Sequence, residues 1–225
     1  GPIDCFHTIT LLYLWSYLTE SKKSAPDPAV LKTLPLVAGL SAGMTVFTKD
    51  EGIAFFLIDL IAGSIVGLLY FRGRLLTLAF SVGKFALITL LFIAPWLLYR
   101  RHLPATTEMA YFSRMQITNL SEGVAALQWA VTHLLQCMFL EAWSWGLQWW
   151  ALMISLFAFP ARALQPQQLF LLLNLTGALA ALIIAGMIAP TPVQEHIGGS
   201  SLRFLLQISG GALLFIAGQW MEESP

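Results

Sequence analysis

The chain has 225 residues and no net charge, and 57% of its residues are hydrophobic while only 11% are charged. Soluble domains carry about 25% charged residues, so this composition excludes an ordinary soluble protein. Eight tryptophans, 15 phenylalanines and 17 glycines are typical of membrane-spanning helices, where glycine and interfacial aromatic residues are enriched. A chain with zero net charge also lacks the basic patch that nucleic-acid binding needs. The composition therefore predicts an integral membrane protein.

Apolar runs follow one another along the chain and predict about seven transmembrane helices, since one span needs about 20 apolar residues. In chain order the runs cover residues 3–18, 34–48, 53–71, 75–99, 142–159, 169–189 and 202–221. The first two runs are short and are expected to span only inside a bundle. We expect one all-α domain over residues 1–225, a polytopic transmembrane helix bundle.

Residues 124–140 differ from these runs because one face of the predicted helix is polar. Gln128, Thr132 and Gln136 recur every four residues and therefore lie on the same side. This pattern predicts one helix lying in the membrane interface in addition to the spans.

Basic residues in the loops predict the orientation of the bundle. With residues 124–140 outside the hydrocarbon core, three basic loops share one face, which we assign to the cytoplasm. They contain Lys22, Lys23, Lys32, Arg72, Arg74 and Arg162. The opposite face receives Asp4, the turn 48–52 and the loops 100–122 and 190–201. A spanning 124–140 segment would reverse every later element.

The turn 48–52 (TKDEG) places three consecutive charges between two apolar helices. Lys49 is suited to hold a phosphate as a point charge. Asp50 and Glu51 begin the next helix, where its dipole favours acids, and they are candidates for orienting a sugar or transferring a proton. A hydrated turn closed by Gly52 is the equally simple alternative.

Three arginines border the same face. Arg100 and Arg101 end a span, and two adjacent guanidinium groups suit bidentate phosphate binding, although snorkelling to the interface also explains them. Arg203 opens the last span and must reach the interface or a partner. It follows His196 and the run 198–201 (GGSS), whose exposed backbone suits contact with an anion.

Asp59 and Lys84 are the clear charges inside predicted spans. They lie about 18 Å and about 13 Å from the inner ends of two consecutive antiparallel helices, at 1.5 Å per residue. We expect an intramembrane ion pair, with a proton relay as the alternative. The four histidines show no metal-ligand spacing, and neither HExxH nor CxxC occurs, so no metal site is predicted.

Four segments together resemble a known family. Residues 38–43 (AGLSAG) followed by 48–52 (TKDEG) resemble its "G-x-x-x-G … T-K-x-E-G" segment, and 94–100 (APWLLYR) resemble its "PW-x-x-R" span end. Residues 200–207 (SSLRFLLQ) resemble "S-L-x-R-x-L-L-Q", and 1–4 (GPID) resemble "G-Y-x-D". The chain is thus similar to the GT-C class of membrane glycosyltransferases, the group of dolichyl-phosphate-mannose protein mannosyltransferases and bacterial aminoarabinose transferases.

The resemblance implies that residues 1–225 are the C-terminal part of one GT-C-like domain, preceded by further spans and by a first outer loop whose acidic residue is the catalytic base. It implies an enzyme that moves a sugar from a polyprenyl-phosphate donor to a lipid, glycan or protein acceptor. The reaction would take place at the non-cytoplasmic face of a bacterial inner (plasma) membrane, in building the cell envelope. No cofactor is implied with certainty, although the class is compatible with a divalent metal.

The same resemblance assigns expected roles. Lys49, Arg100, Arg101 and Arg203 would bind the donor phosphate, and Asp4 would lie on the acceptor side. Glu51, Asp50 and His196 would orient the substrates or transfer protons. A transporter or flippase of lipid-linked sugar, coupled through Asp59 and Lys84, is the alternative, and it predicts inverted repeats that the sequence does not show. A non-catalytic membrane scaffold is the third hypothesis.

Overall fold

The computed structural model describes residues 1–102, 120–189 and 192–221, and these residues form helices joined by short turns, without a strand. The all-α prediction is confirmed. The helices are α1 (Pro2–Lys22), α2 (Pro28–Thr48), α3 (Glu51–Tyr70), α4 (Leu75–Arg100), α5 (Leu120–Phe139), α6 (Ala142–Trp145), α7 (Gln148–Ala158), α8 (Pro160–Ala163), α9 (Pro166–Ile188) and α10 (Val193–Trp220). A short 3₁₀ turn, Arg72–Arg74, joins α3 to α4.

Five helices in the described part of the chain are long and apolar enough to cross a membrane: α2, α3, α4 with the turn before it, α9 and α10. The chain is therefore an integral membrane protein, but seven spans are not confirmed. The run 142–159 is divided, because Gly146 adopts a left-handed φ of 57° between α6 and α7. The resulting α7 has 11 residues, about 16 Å of helix, against a hydrocarbon core of about 30 Å.

Local sequence signals mark where the helices begin. The Asp27 carboxylate accepts a hydrogen bond from the backbone N–H of Ala29 at 2.8 Å and caps α2. Prolines occupy the first turn of α1, α2, α8 and α9, where a missing N–H costs nothing. Pro35 and Pro95 lie inside α2 and α4, which nevertheless continue through them.

Small residues allow α2 and α4 to pack closely. A Cβ added to Gly39 would lie 2.9 Å from Ile88, and one added to Gly43 would lie 2.6 Å from Phe92. The hydroxyl of Thr89 donates to the carbonyl of Gly39 at 3.2 Å. Close approach through glycine and an interhelical hydrogen bond are the usual means of helix association in lipid. This contact fixes which face of α4 points into the bundle.

The helix α10 runs through the centre of the main packed core. It packs against α1, α5, α7 and α9, and Leu205, Ile208, Ala212 and Phe215 lie buried along its inner face. On the same helix, the side chains of Arg203 and Gln207 reach Glu51 at the start of α3. The packing of α10 therefore decides which side chains meet the α2–α3 turn.

Hydrogen bonds join the three basic loops at one end of the bundle. Arg74 donates to the carbonyl of Ser21 at 3.5 Å, and Lys22 donates to the side-chain oxygen of Gln165 at 3.3 Å. Arg162 donates to the carbonyl of Gln219 at 2.7 Å. The predicted grouping of these loops on one face is confirmed, while the assignment of that face to the cytoplasm stays a prediction.

Gly52 is where α3 starts beside the end of α2. A Cβ on Gly52 would lie 2.6 Å from the carbonyl oxygen of Thr45, a backbone atom that cannot rotate away, whereas a Cβ on Gly63 would meet nothing within 4 Å. We expect Gly52→Ala to lower the free energy of unfolding in detergent micelles by about 1–3 kcal/mol. Gly63→Ala is the matched control and should leave it unchanged or slightly higher. Equal effects of the two substitutions would contradict this packing.

Candidate functional site

Glu51 collects side chains from two separate parts of the chain. One carboxylate oxygen contacts the Lys49 ammonium at 2.5 Å and the Arg203 guanidinium at 3.4 Å. The other oxygen accepts a hydrogen bond from the Gln207 amide at 3.0 Å. We call Lys49, Glu51, Arg203 and Gln207 the Glu51 cluster. It joins the α2–α3 turn to α10.

Local backbone geometry places these groups. Lys49 ends α2 in an extended conformation, and its carbonyl accepts the N–H of Gly52 at 2.9 Å, which closes the turn and sets Glu51 at the start of α3. Arg203 and Gln207 are four residues apart on α10 and therefore lie on one face, one turn above the other. The cluster thus depends on one tight turn and one helix face.

The cluster is open to the surroundings. The side chains of Lys49, Glu51 and Arg203 are 37%, 36% and 61% exposed. Ion pairs this exposed contribute only about 0–1 kcal/mol to stability. Two cations and one carboxylate also leave a net positive charge. The arrangement is therefore better suited to receive an anion than to hold the fold together.

Aromatic side chains lie beside the cluster. The indole N–H of Trp96 donates to the Asp50 carboxylate at 3.3 Å. The Trp96 ring lies 6.3 Å from the ring of Phe47 and 6.0 Å from that of Tyr99, measured between centroids. Asp50 therefore faces the end of α4, and Glu51 faces α10. These aromatic residues are typical of the belt at a membrane interface, and they would equally suit stacking against the ring of a ligand.

The other predicted site residues lie apart. Among the described residues, Asp4 and Arg101 form no ion pair with the Glu51 cluster. Arg101 is exposed at the end of α4, and the side chain of Arg100 lies outside the described part. His196 is half-buried, two turns before Arg203 on α10. Lys49, Glu51 and Arg203 are the predicted site residues that the structure brings together.

Asp59 and Lys84 do not form the predicted ion pair in the structure. Asp59 is 2% exposed and its carboxylate lies 3.9 Å from the imidazole Nε2 of His7, which stacks on Phe55. Lys84 is exposed on α4. The two residues lie at similar depth, but α4 turns Phe85 and Thr89 toward α2 and so directs Lys84 outward. Helix rotation, rather than depth, separates the pair.

A second polar cluster lies between α5 and α10. The His133 Nε2 lies 3.2 Å from the Ser201 hydroxyl and 3.6 Å from the Cys137 thiol, which lies 3.6 Å from the Glu141 carboxylate. Cys137 and Ser201 are each 1% exposed. Burial raises the pKa of the Cys137 thiol, so it stays protonated and is a poor nucleophile. These contacts form a buried hydrogen-bonded seam between α5 and α10, which a substrate cannot reach.

Sequence reasoning did not single out Gln207, His7 or this seam as functional. The four-residue spacings of Arg203 with Gln207, and of His133 with Cys137 and Glu141, are readable signals that each set shares a helix face. No such signal joins His7 to Asp59, which lie on different helices. In the ranges that the structure covers, no group of three or more His, Cys, Asp or Glu side chains is arranged to hold a metal ion.

Comparison with known proteins adds no relative: no family model, no curated protein and no solved structure matches this chain.

The contacts of Asp59 predict different outcomes for two double-mutant cycles. His7 and Asp59 are in contact, so His7→Phe and Asp59→Asn should show a coupling of about 0.5–3 kcal/mol in the free energy of unfolding. Lys84 and Asp59 share no partner, so Lys84→Met and Asp59→Asn should add within about 0.5 kcal/mol. Both cycles are measured by denaturant unfolding in micelles. Coupling in the Lys84 cycle would contradict the packing of α4, and additivity in the His7 cycle would contradict the contact between α1 and α3.

Proposed function

We propose that this chain belongs to a membrane glycosyltransferase, in which the Glu51 cluster binds the phosphate of a polyprenyl-phosphate sugar donor. The observation that carries the proposal is the meeting of Lys49 and Arg203 at one exposed carboxylate. Lys49 was predicted as a phosphate ligand from its own turn, and the family resemblance assigned the same role to Arg203. They come from distant parts of the chain, and a shared ligand accounts for their convergence.

The geometry supports exchange of an internal carboxylate for a bound phosphate. Arg203 donates to Glu51 at 3.4 Å, a long contact, and 61% of its side chain is exposed. A phosphate offers more acceptor oxygens than Glu51 and matches the planar guanidinium in a bidentate manner, while Lys49 supplies a point charge. Gln207 would then keep Glu51 in place by its 3.0 Å hydrogen bond.

The proposed reaction is an inverting transfer. An acceptor hydroxyl loses its proton to a base and attacks the anomeric carbon, and the bond from that carbon to the phosphate oxygen breaks with its electron pair going to the phosphate. Lys49 and Arg203 stabilise the negative charge that develops on the leaving phosphate. Glu51 orients these cations and the sugar. We do not assign the base to any residue of the Glu51 cluster.

The remaining predicted residues take outer positions in this proposal. Asp50, held by Trp96, would position the sugar beside the aromatic rings, and His196 and Asp4 would face the acceptor, which is a lipid, glycan or protein. Arg101 would meet the lipid phosphate as it enters along α4. The proposed setting is the non-cytoplasmic face of a bacterial inner membrane.

A transporter or flippase of lipid-linked sugar is the second candidate, and the buried His7–Asp59 pair favours it. Within the described residues both ring nitrogens of His7 and one oxygen of Asp59 lack a hydrogen-bond partner. Asp59 also lines a cavity with Tyr17 and Ser81. Ionisable groups inside a bundle often form proton relays. The five candidate spans are continuous helices, however, whereas transporters of this kind use broken ones.

Sugar transfer by the natural full-length protein in membrane vesicles tests the proposal, with a panel of radiolabelled polyprenyl-phosphate sugars as donors. We expect Lys49→Ala and Arg203→Ala each to lower transfer by about 100-fold or more, because each removes a charge-assisted contact to the leaving phosphate. Arg203→Lys should recover part of the loss. Arg74→Ala, at the opposite end of the bundle, is the matched control and should transfer at the wild-type rate.

The variants also separate the two candidates. Transfer that persists in Asp59→Asn but disappears in Arg203→Ala supports the transferase. Transfer unaffected by Lys49→Ala and Arg203→Ala would remove the Glu51 cluster from the donor site. Donor movement across the vesicle bilayer without transfer, abolished by Asp59→Asn, would favour the flippase.

A further inference from the structure

The helix α4 is more exposed than the other candidate spans, because its outward face packs against no other described helix. Within its most apolar stretch 17% of residues are buried, against 39–44% in the other four. Four large side chains at helical spacing are more than half exposed: Leu76, Phe80, Leu87 and Leu91. The opposite face of α4 packs on α2. We call the exposed stripe, together with Gly83 and Lys84, the α4 outer face.

Lys84 lies in the middle of this apolar stripe. It is exposed, and within the described residues it makes no hydrogen bond or ion pair. Nine residues separate it from the start of α4 at Leu75, which places it about 13 Å along a helix that crosses a core of about 30 Å. A lysine at this position reaches water only by snorkelling along the helix or by thinning the bilayer locally, and both cost free energy. An uncompensated ammonium at this depth is strongly unfavourable in lipid.

The compensating carboxylate is not supplied by the described spans. Away from the helix ends, Asp59 is the one acidic residue in α2, α3, α4, α9 and α10, and it is 2% exposed beside His7. A second copy of the chain would present the same apolar spans and therefore offers no accessible mid-depth acid either. A partner that covers the α4 outer face must therefore supply the carboxylate itself.

The shape of the face admits a helix. A Cβ added to Gly83 would meet nothing within 4 Å, so the surface next to Lys84 is open, and glycine lets a neighbouring backbone approach closely. Leu76, Phe80, Leu87 and Leu91 extend over four turns on both sides of Lys84 and can pack against apolar side chains. Only a helix satisfies its own backbone inside the hydrocarbon core.

We propose that the α4 outer face binds a transmembrane helix from outside this sequence, which carries an aspartate or glutamate at the depth of Lys84. The pair would neutralise two groups that are each costly in lipid, so the charge both strengthens the association and fixes the register of the helices. This inference rests on Lys84 and not on the proposed glycosyl transfer.

Synthetic leucine-rich transmembrane peptides with one central residue test the proposal. The protein carries a fluorescence donor in phosphatidylcholine vesicles, and peptides with a central Glu, Gln or Lys carry the acceptor. We expect the Glu peptide to associate with wild type at least about tenfold more tightly than the Gln peptide. Lys84→Met should abolish this preference, and Lys84→Glu should transfer it to the Lys peptide. Lys32→Met, an exposed lysine elsewhere, is the matched control and should retain the wild-type preference.

Equal association of the Glu and Gln peptides with wild type would overturn the proposal, as would an undiminished preference in correctly folded Lys84→Met, with folding checked by helical circular dichroism. Coverage of the face by a second copy is tested separately. Leu87→Cys, in a Cys5→Ser background, would form disulfide-linked dimers in membranes if two α4 outer faces met, and efficient dimers would also overturn it.

Discussion

Hydrocarbon offers no partner to a charge or to a peptide group, and this constraint accounts for the arrangement of the whole molecule. In the described part of the chain, every segment long and apolar enough to cross the core is helical, and most charges lie in turns, near helix ends or, like Arg203, against such a turn. Lys22, Arg74 and Arg162 bind loops together at one end, and the Glu51 cluster gathers charges near the other. Asp59 and Lys84, which lie inside apolar spans and away from these turns, are therefore the most informative charged residues of the described spans.

These two charges are resolved in opposite ways. Asp59 is enclosed by the bundle beside His7, and both residues are almost entirely buried. Lys84 points away from the bundle on a helix that otherwise shows leucine and phenylalanine. A buried pair stays inside one folded chain, whereas an outward lysine needs a partner that approaches through the membrane. The contrast separates an internal feature of the fold from a binding surface.

The Glu51 cluster differs from both because it is partly hydrated. Its ion pairs contribute little to stability, since their side chains are more than a third exposed. Weak internal pairs are easily exchanged for a stronger external anion. The tight approach of Gly52 to the end of α2 positions the turn, and the packing of α10 positions Arg203. The cluster is therefore held in place by the backbone and by packing, which leaves the charged groups themselves available for a ligand.

Much of the candidate site was predictable from local sequence. Lys49 and Glu51 stand in a charged turn between apolar runs, and Arg203 begins the last predicted span, so each was identified from its own neighbourhood. The helix itself begins ten residues before Arg203, at Val193. The meeting of Lys49 and Arg203 at the Glu51 carboxylate was not derivable, because it depends on how α10 packs beside α3. The same limit explains the missed His7–Asp59 contact. It also explains the division of residues 142–159, where Gly146 turns the chain although the composition is continuously apolar.

The helical class, the membrane location and the grouping of the basic loops follow from the order of amino acids, since hydropathy and turn residues act over a few positions. The predicted loop 190–201 was wrong in large part, because α10 already begins at Val193 and includes the run 198–201 (GGSS), whose backbone is therefore helical. The direction in which each helix faces does not follow from the order of amino acids. Asp59 and Lys84 were expected to pair because their depths agree, and depth is a linear property of the chain. Rotation of a helix about its own axis is set by contacts with distant helices, here Gly39 and Thr89 between α2 and α4. Only that tertiary packing turned Asp59 inward and Lys84 outward.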